Sequence, residues 1–145
     1  SFTPENYREG TLIPINTKGR IVIENGREIQ RDNTFSIVTA DGRHRIYVAN
    51  NEIYSKMTIE QLRDHMLGTN TVNLSQFTEQ AQGFIRNGEP AKGMTKEMLL
   101  LALGNPPADL TPSMNDANWI YRLNFAQKIY ISFNEEGIVK DIFYK

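Results

Sequence analysis

The sequence predicts an α+β protein, with a strand-rich N-terminal third followed by helices and a C-terminal set of strands. Three observations support this class. The dipeptide Asn25-Gly26 separates two short β-prone runs, which is a strong hairpin signal. Residues 93–104 carry clear helix start and stop signals. Residues 118–145 contain three runs in which apolar and polar residues alternate, as expected for strands with one buried face.

The composition excludes several classes of protein. The chain has 145 residues, is 39% hydrophobic and carries a net charge of −1, so it can bury a core but has no large one-sign field. A nucleic-acid partner is therefore not expected. It contains no cysteine, which excludes disulfides, thiol nucleophiles and cysteine-based metal sites. No apolar run approaches the roughly eighteen residues that a transmembrane helix needs.

Residues 1–56 are predicted to form a small β domain. The segment "GTLIPIN" and the runs on each side of Asn25-Gly26 and Asp41-Gly42 give about five short strands joined by tight turns. Five short strands in so few residues favour a small curled barrel or sandwich, and an open sheet is the alternative. We interpret this region as a five-stranded barrel of Src-homology type, a prediction made from the pattern alone.

Residues 57–74 are predicted to be a helix and a linker. Thr58 is a good N-cap, and Gln61 three residues later completes a capping box. Ile59, Leu62 and Met66 form one apolar stripe on this helix. Gly68 is placed to end it in a left-handed turn.

Residues 75–145 are predicted to place two helices on one face of a three-stranded antiparallel meander. The first helix spans Ser75 to about Asn87. The second is short and leucine-rich, begins after Thr95 and ends at Gly104. Because this helix is apolar on all sides, it must be covered on more than one side. Three consecutive strands with short turns follow.

The residues give little support for catalysis. His44 and His65 are the only histidines, and His44 shares the parity of Ile46 and Val48, which places it at the barrel interior or rim. No other ligand stands at metal spacing, and no serine lies in a nucleophile motif. We therefore predict a protein that is not an enzyme, with no catalytic, cofactor-binding or metal-binding residues.

Two surfaces are candidates for binding a partner. On the barrel, Arg43, Arg45 and Tyr47 alternate outward, with Arg27 and Arg31 on the neighbouring hairpin. A basic and aromatic face of this kind can hold a phosphate backbone or an acidic peptide. The alternative interpretation is an ordinary charged sheet face.

The second candidate surface is the meander. If Ile129, Ile131 and Phe133 face inward, Tyr130 faces outward together with an aromatic residue of the first strand. Exposed aromatic residues beside arginine are common in protein interfaces, although single exposed aromatics also occur without a partner. The candidate partner-binding residues of this surface are Trp119, Tyr121, Arg122 and Tyr130.

Residues 75–145 resemble the SmpA/OmlA domain of the BamE-like lipoproteins of the bacterial envelope. The similarity is carried by "GMTKEMLLLALGNPP", then "NWIYRL", then "IYISFNEEGIVKDI". The matching positions are Gly93, Met94, Thr95, Lys96, Leu99, Leu103, Gly104, Pro106, Trp119, Tyr121, Phe133, Gly137 and Val139. Asn134 departs from the pattern, because the family usually has aspartate at this turn. Residues 1–74 are not covered.

The resemblance implies a periplasmic, outer-membrane-associated protein that works by binding partners. Members of the family are usually tethered by an N-terminal lipid, and the best-known member supports the machinery that inserts β-barrels into the outer membrane. The expected partners are therefore envelope proteins. The alternative, from another class, is a ligand-binding module that recognises a peptide, glycan or nucleic acid through Arg43, Arg45 and Tyr47.

Overall fold

A computed structural model describes Arg8 and residues 11–145 of the chain. These residues form two compact units. The first contains Asn16–Thr71, and the second contains Val72–Lys145 together with Arg8 and residues 11–15. The strand predicted at 10–16 begins at Gly10, which lies outside the described residues, and residues 11–16 do not form a strand.

The first unit contains a three-stranded antiparallel sheet. Its strands are β1 (Gly19–Ile21), β2 (Thr34–Thr39) and β3 (Arg45–Ala49), in the order β1-β2-β3. Two helices follow, α1 (Glu52–Ser55) and α2 (Ile59–Met66). The core is small and joins the sheet to α2. Its buried members among the described residues are Phe35, Ile37, Val48, Ile59 and Leu62.

The predicted five-stranded barrel is not confirmed. Within the described residues this unit has three strands, and no closed barrel is found. The turn signal at Asn25-Gly26 was correct, because both residues have the positive φ values (53° and 74°) that a tight hairpin turn requires. The pairing around it stops at the single bridge between Glu24 and Arg27. The turn therefore forms as predicted, but it is not flanked by two paired strands.

Helix α2 begins as its sequence predicts and ends differently. The Thr58 side chain accepts from the Gln61 N–H, and the Gln61 side chain accepts from the Thr58 N–H, so the capping box is confirmed. The helix ends at Met66 with Leu67 as its C-cap, and Gly68 does not have a positive φ, so the predicted left-handed glycine stop is wrong.

The second unit has the predicted arrangement of two helices and a three-stranded antiparallel meander. The helices are α3 (Glu79–Arg86) and α4 (Lys96–Leu103). The strands are β4 (Asn118–Arg122), β5 (Lys128–Phe133) and β6 (Val139–Tyr144), in the order β4-β5-β6. The first helix starts later than predicted. Leu74–Gln76 is a separate 3-10 turn, and the Thr78 side chain caps α3 by accepting from the Ala81 N–H.

The leucine-rich helix α4 packs against α3 and shares one buried core with the meander, which explains its composition. Leu99 is fully buried, and Leu100 and Leu101 are half-buried against the same core. Gly104 ends the helix with φ 75°. The buried core of the described residues is Leu74, Ile85, Met94, Leu99, Ala102, Leu103, Trp119, Tyr121, Ile129, Ile131 and Val139. Across the part of the chain that the structure describes, no helix has the length and apolarity needed to cross a membrane.

Arg8 holds the ends of both helices of this unit. Its guanidinium donates to the carbonyl oxygens of Leu103, at 3.1 Å, and Gly88, at 3.0 Å. These carbonyls lie at helix C-terminal ends, where no intrahelical partner is available and a positive charge is favourable. Burial lowers the pKa of Arg8 from its ordinary value, and the nearby phenol groups of Tyr121 and Tyr144 oppose that shift. The contact gives both partly buried carbonyls a charged donor.

Candidate interaction surface

Trp119 and Tyr121 are core residues, so the prediction of an exposed aromatic on β4 is wrong. Trp119 is 1% exposed and Tyr121 is 0% exposed. They lie directly opposite Ile131 and Ile129 of β5, which are themselves buried, and directly opposed residues share a face of the sheet. Tyr121 donates its hydroxyl to the Gly104 carbonyl at 2.8 Å. Neither side chain is available to contact a partner directly.

Lys96 completes the packing around Trp119. The Lys96 ammonium lies 5.3 Å from the Trp119 ring centre and 4.9 Å from that of Phe133. The two rings meet edge to face at 5.1 Å. The Met114 carbonyl accepts from both Trp119 Nε1 and Lys96 Nζ, at 3.2 and 3.1 Å. The lysine of the "GMTK" segment therefore has a structural role, since it bridges α4, the loop before β4 and two aromatic rings.

The opposite side of this sheet forms the candidate site, which we name the open face. The strand register places its nine outward residues in three rows across β4, β5 and β6. The polar row is Asn118, Ser132 and Asp141. The apolar row is Ile120, Tyr130 and Phe143. The basic row is Arg122, Lys128 and Lys145.

The apolar row forms the floor of a depression of about 350 Å³. Its lining residues are Asn118, Ile120, Tyr130, Ser132, Phe143 and Lys145. Phe143 is 55% exposed, and Ile120 and Tyr130 are half-buried. The Lys145 ammonium lies 5.6 Å from the centre of the Tyr130 ring, so a positive charge stands at the edge of the depression.

The charges of the open face are unevenly balanced. Arg122 forms a two-bond ion pair with Asp109, and the carboxylate of Asp141 lies 3.8 Å from Lys92. The Arg122 guanidinium lowers the pKa of Asp109 by hydrogen bonding to its carboxylate. Lys128 and Lys145 have no carboxylate partner among the described residues. The basic row therefore presents two uncompensated positive charges beside an apolar floor.

The sequence found part of this surface and missed the rest. Tyr130 and Arg122 were predicted and lie on it, whereas Ile120, Lys128 and Lys145 were not singled out. The signal that identifies them is the alternation of each strand. Once Ile129 and Ile131 are assigned inward, the even positions of β5 face outward, and the pairing of the strands extends this assignment to β4 and β6.

The basic and aromatic residues of the first unit are arranged differently. Arg45 and Tyr47 face away from the core, as predicted, and the Arg45 guanidinium lies 5.1 Å from the centre of the Tyr47 ring. Arg45 is also paired with Glu24. Arg43 is exposed in the turn before β3. The charge of Arg45 is thus balanced within its own unit, which weakens this face as an anion site.

Neither histidine lies in an enclosed setting. His44 was predicted to line the barrel interior or rim, but it is exposed in the turn that leads into β3, where its N–H donates to the Thr39 hydroxyl at 3.2 Å. His65 is exposed on α2. In the described ranges, no group of three or more acidic, histidine or cysteine residues could hold a metal ion.

No protein-family model, no curated protein and no solved structure matches this chain.

Proposed function

We propose that this protein is a non-enzymatic interaction or assembly module of the bacterial cell envelope, similar to the BamE-like outer-membrane assembly lipoproteins. The observation that carries the binding role is the open face, where Ile120, Tyr130 and Phe143 form an accessible apolar floor. A sheet covered by helices on one side and carrying aromatics on the other is suited to contact with another protein.

The assignment to the envelope rests on the SmpA/OmlA resemblance of residues 75–145. Its support is the second unit itself, which has the two helices and three-stranded meander that the resemblance implies. The departure at Asn134 is consistent with the pattern, because its side-chain oxygen accepts from the N–H groups of Glu136 and Ile138, both at 3.0 Å. An aspartate can cap the same turn in the same way. Periplasmic location, outer-membrane association and an N-terminal lipid tether belong to this proposal.

Affinity capture tests the proposal. The tagged full chain is expressed in its own bacterium and recovered from detergent-solubilised envelopes, and the captured proteins are identified by mass spectrometry. Outer-membrane assembly proteins should co-purify with the wild type, and Tyr130→Ser/Phe143→Ser should lose them. Phe125→Ser is the matched control, because Phe125 is 88% exposed in the same unit but lies outside the three rows.

Two outcomes contradict the proposal. One is a protein recovered alone or in the cytosolic fraction. The other is a set of captured envelope proteins that Tyr130→Ser/Phe143→Ser retains as well as the wild type does, which would place the binding surface elsewhere.

A second candidate function is a ligand-binding module that uses the first unit to recognise a peptide, glycan or nucleic acid. One observation favours it, namely that Tyr47 is 55% exposed beneath the Arg45 guanidinium. This candidate predicts binding to the first unit that falls steeply with salt and is weakened by Arg43→Ala. Titration of oligonucleotides, glycans and acidic peptides against both forms measures it.

A further inference from the structure

We infer that the open face binds an acidic segment of a partner protein, in which one large apolar side chain is flanked by aspartate or glutamate. This inference rests on the proposed interaction function and specifies the chemistry of its partner. It follows from the placement beside the apolar depression of Lys128 and Lys145, which have no carboxylate partner in the described part of the chain.

The shape of the site suits a side chain. The depression of about 350 Å³ lies at the lower end of the range for ligand pockets and is bounded on one side by the strands. A floor made of Ile120, Tyr130 and Phe143 can bury one aromatic or large aliphatic group without enclosing it.

The positive charge beside the depression favours an acidic residue next to the partner's apolar side chain. In the basic row, Lys128 on the central strand β5 lies opposite Arg122 on β4. Reciprocal backbone hydrogen bonds join it to Lys145, the residue that follows β6. Because Arg122 is neutralised by Asp109, the two lysines carry the uncompensated charge. Adjacent rows are separated by two residues of strand, or about 7 Å. A carboxylate two positions from the apolar anchor in an extended segment, or one turn away in a helix, reaches the basic row.

The polar row argues for a protein segment over an anionic polymer or membrane. Asp141 stands across the apolar row from the lysines, and a uniformly anionic surface would meet this carboxylate. Asn118 and Ser132 beside it can exchange hydrogen bonds with a peptide backbone. Among the described residues of the open face, two lysines without carboxylate partners are also few for holding a phosphate backbone, on a chain whose net charge is −1.

Peptide selection tests the inference. A displayed library of random peptides is selected on the full chain, and the enriched peptides are synthesised and titrated by fluorescence anisotropy. The enriched sequences should combine an aromatic or large aliphatic residue with nearby Asp or Glu. Lys128→Glu/Lys145→Glu should weaken their binding by roughly tenfold or more, because each attractive pair becomes repulsive.

The salt response gives a second readout. Wild-type affinity should fall between about 10 mM and about 150 mM salt, where the Debye length shortens from about 30 Å to about 8 Å. The charge-reversed variant should lose or invert that dependence. The matched control is Lys18→Glu/Lys56→Glu, which changes the net charge equally at exposed positions of the first unit outside both candidate surfaces and should bind as the wild type does. Unchanged thermal melting of both variants verifies that they remain folded.

Several results would overturn the inference. These are no enrichment, enriched peptides without acidic residues, or binding that the Lys128 and Lys145 reversal leaves intact. Binding to phosphatidylglycerol vesicles that the same reversal abolishes, in the absence of peptide binding, would assign the face to a membrane instead. If envelope proteins are captured through Tyr130 and Phe143 but the reversal has no effect on them, the proposed function stands and only the acidic partner is refuted.

Discussion

The two units each contain a three-stranded antiparallel sheet, but the faces that point away from their cores differ. In the first unit, residues on that face are largely paired or covered within the unit itself. Arg45 is paired with Glu24, and Ser36 is buried, at 6% exposure. In the second unit it carries an exposed apolar row and two lysines without carboxylate partners among the described residues. Charged and aromatic residues on a sheet therefore indicate a binding surface only when the residues around them neither pair with their charges nor cover their rings.

The cores differ as well. Five residues form the buried cluster of the first unit in its described part, and eleven form that of the second. A larger buried apolar area gives a larger hydrophobic contribution to stability. We expect the second unit to be the more stable of the two.

Trp119→Ala should be the most damaging substitution. It removes a fully buried side chain, its hydrogen bond to Met114 and its contacts with Phe133 and Lys96, at a cost of about 3–5 kcal/mol. Native-state hydrogen exchange should place the loss of protection in residues 72–145. The control is Phe125→Ala, at an 88% exposed position, which should change the free energy of unfolding by less than about 0.5 kcal/mol. Equal effects of the two substitutions would contradict the buried placement of Trp119.

Leu62→Ala should destabilise the first unit by about 2–5 kcal/mol, because Leu62 belongs to its five-residue core. The loss of amide protection should fall in residues 16–71. Met66→Ala on the same helix is the matched control, since Met66 is 36% exposed and its truncation leaves no buried cavity. If residues 57–74 act only as a helix and linker, Leu62→Ala will cost no more than Met66→Ala.

The second unit was largely predictable from sequence because its signals are local. Thr95 and Gly104 mark both ends of α4, and alternation in β5 identifies Ile129 and Ile131 as inward. What could not be predicted depended on long-range pairing. The inward direction of Trp119 follows from its register against Ile131, which no local pattern specifies.

The hairpin predicted around Asp41-Gly42 forms as β2 and β3, but the five-stranded barrel predicted for the first unit is not found in the described residues, for the same physical reason. Its turn at Asn25-Gly26 forms, but the length of the strands beside a turn depends on the partners that pair with them. Helix starts show a milder form of the problem. Ser75 and Thr78 are both acceptable N-caps, and only the folded chain separates the 3-10 turn before Phe77 from the helix after it.

Tyr121→Phe should have a smaller and pH-dependent effect. Near neutral pH, loss of the hydrogen bond to the Gly104 carbonyl should cost about 0.5–1.5 kcal/mol. Burial raises the pKa of Tyr121 far above its ordinary value of 10.0. Folding therefore favours the neutral form of Tyr121. Its contribution to the free energy of unfolding is complete below pH 10 and is lost as the pH rises through the folded-state pKa.

Urea unfolding between about pH 7 and about pH 11.5 measures this effect. Above pH 10, the wild type should lose up to about 1.4 kcal/mol per pH unit relative to Tyr121→Phe, so the difference between them narrows. Tyr130→Phe, on the open face, should change the stability at neutral pH by less than about 0.5 kcal/mol. A gap between the wild type and Tyr121→Phe that stays constant up to the highest pH would show that the phenol is not buried in the native state.

Asp109→Asn should give the smallest effect, because the Asp109–Arg122 pair is partly exposed at the rim of the open face. The side chains are 27% and 15% exposed, and such pairs contribute about 0–1 kcal/mol after screening by solvent.

The effect of Asp109→Asn should also depend on pH. Hydrogen bonding from Arg122 lowers the pKa of Asp109 below its ordinary 3.8, so the contribution of the pair to stability is present above that pH and is lost as the pH falls through the folded-state pKa. Urea midpoints should therefore separate the variant from the wild type near neutral pH and converge in acid. Glu135→Gln is the control. Because Glu135 is exposed in a turn, this substitution should leave the urea midpoint close to that of the wild type throughout. In binding assays, Asp109→Asn should strengthen the acidic-peptide interaction of the open face, since it removes a negative charge beside the basic row. A weakened interaction would mean that Asp109 matters because it holds Arg122 in place, and that its negative charge does not repel the acidic partner.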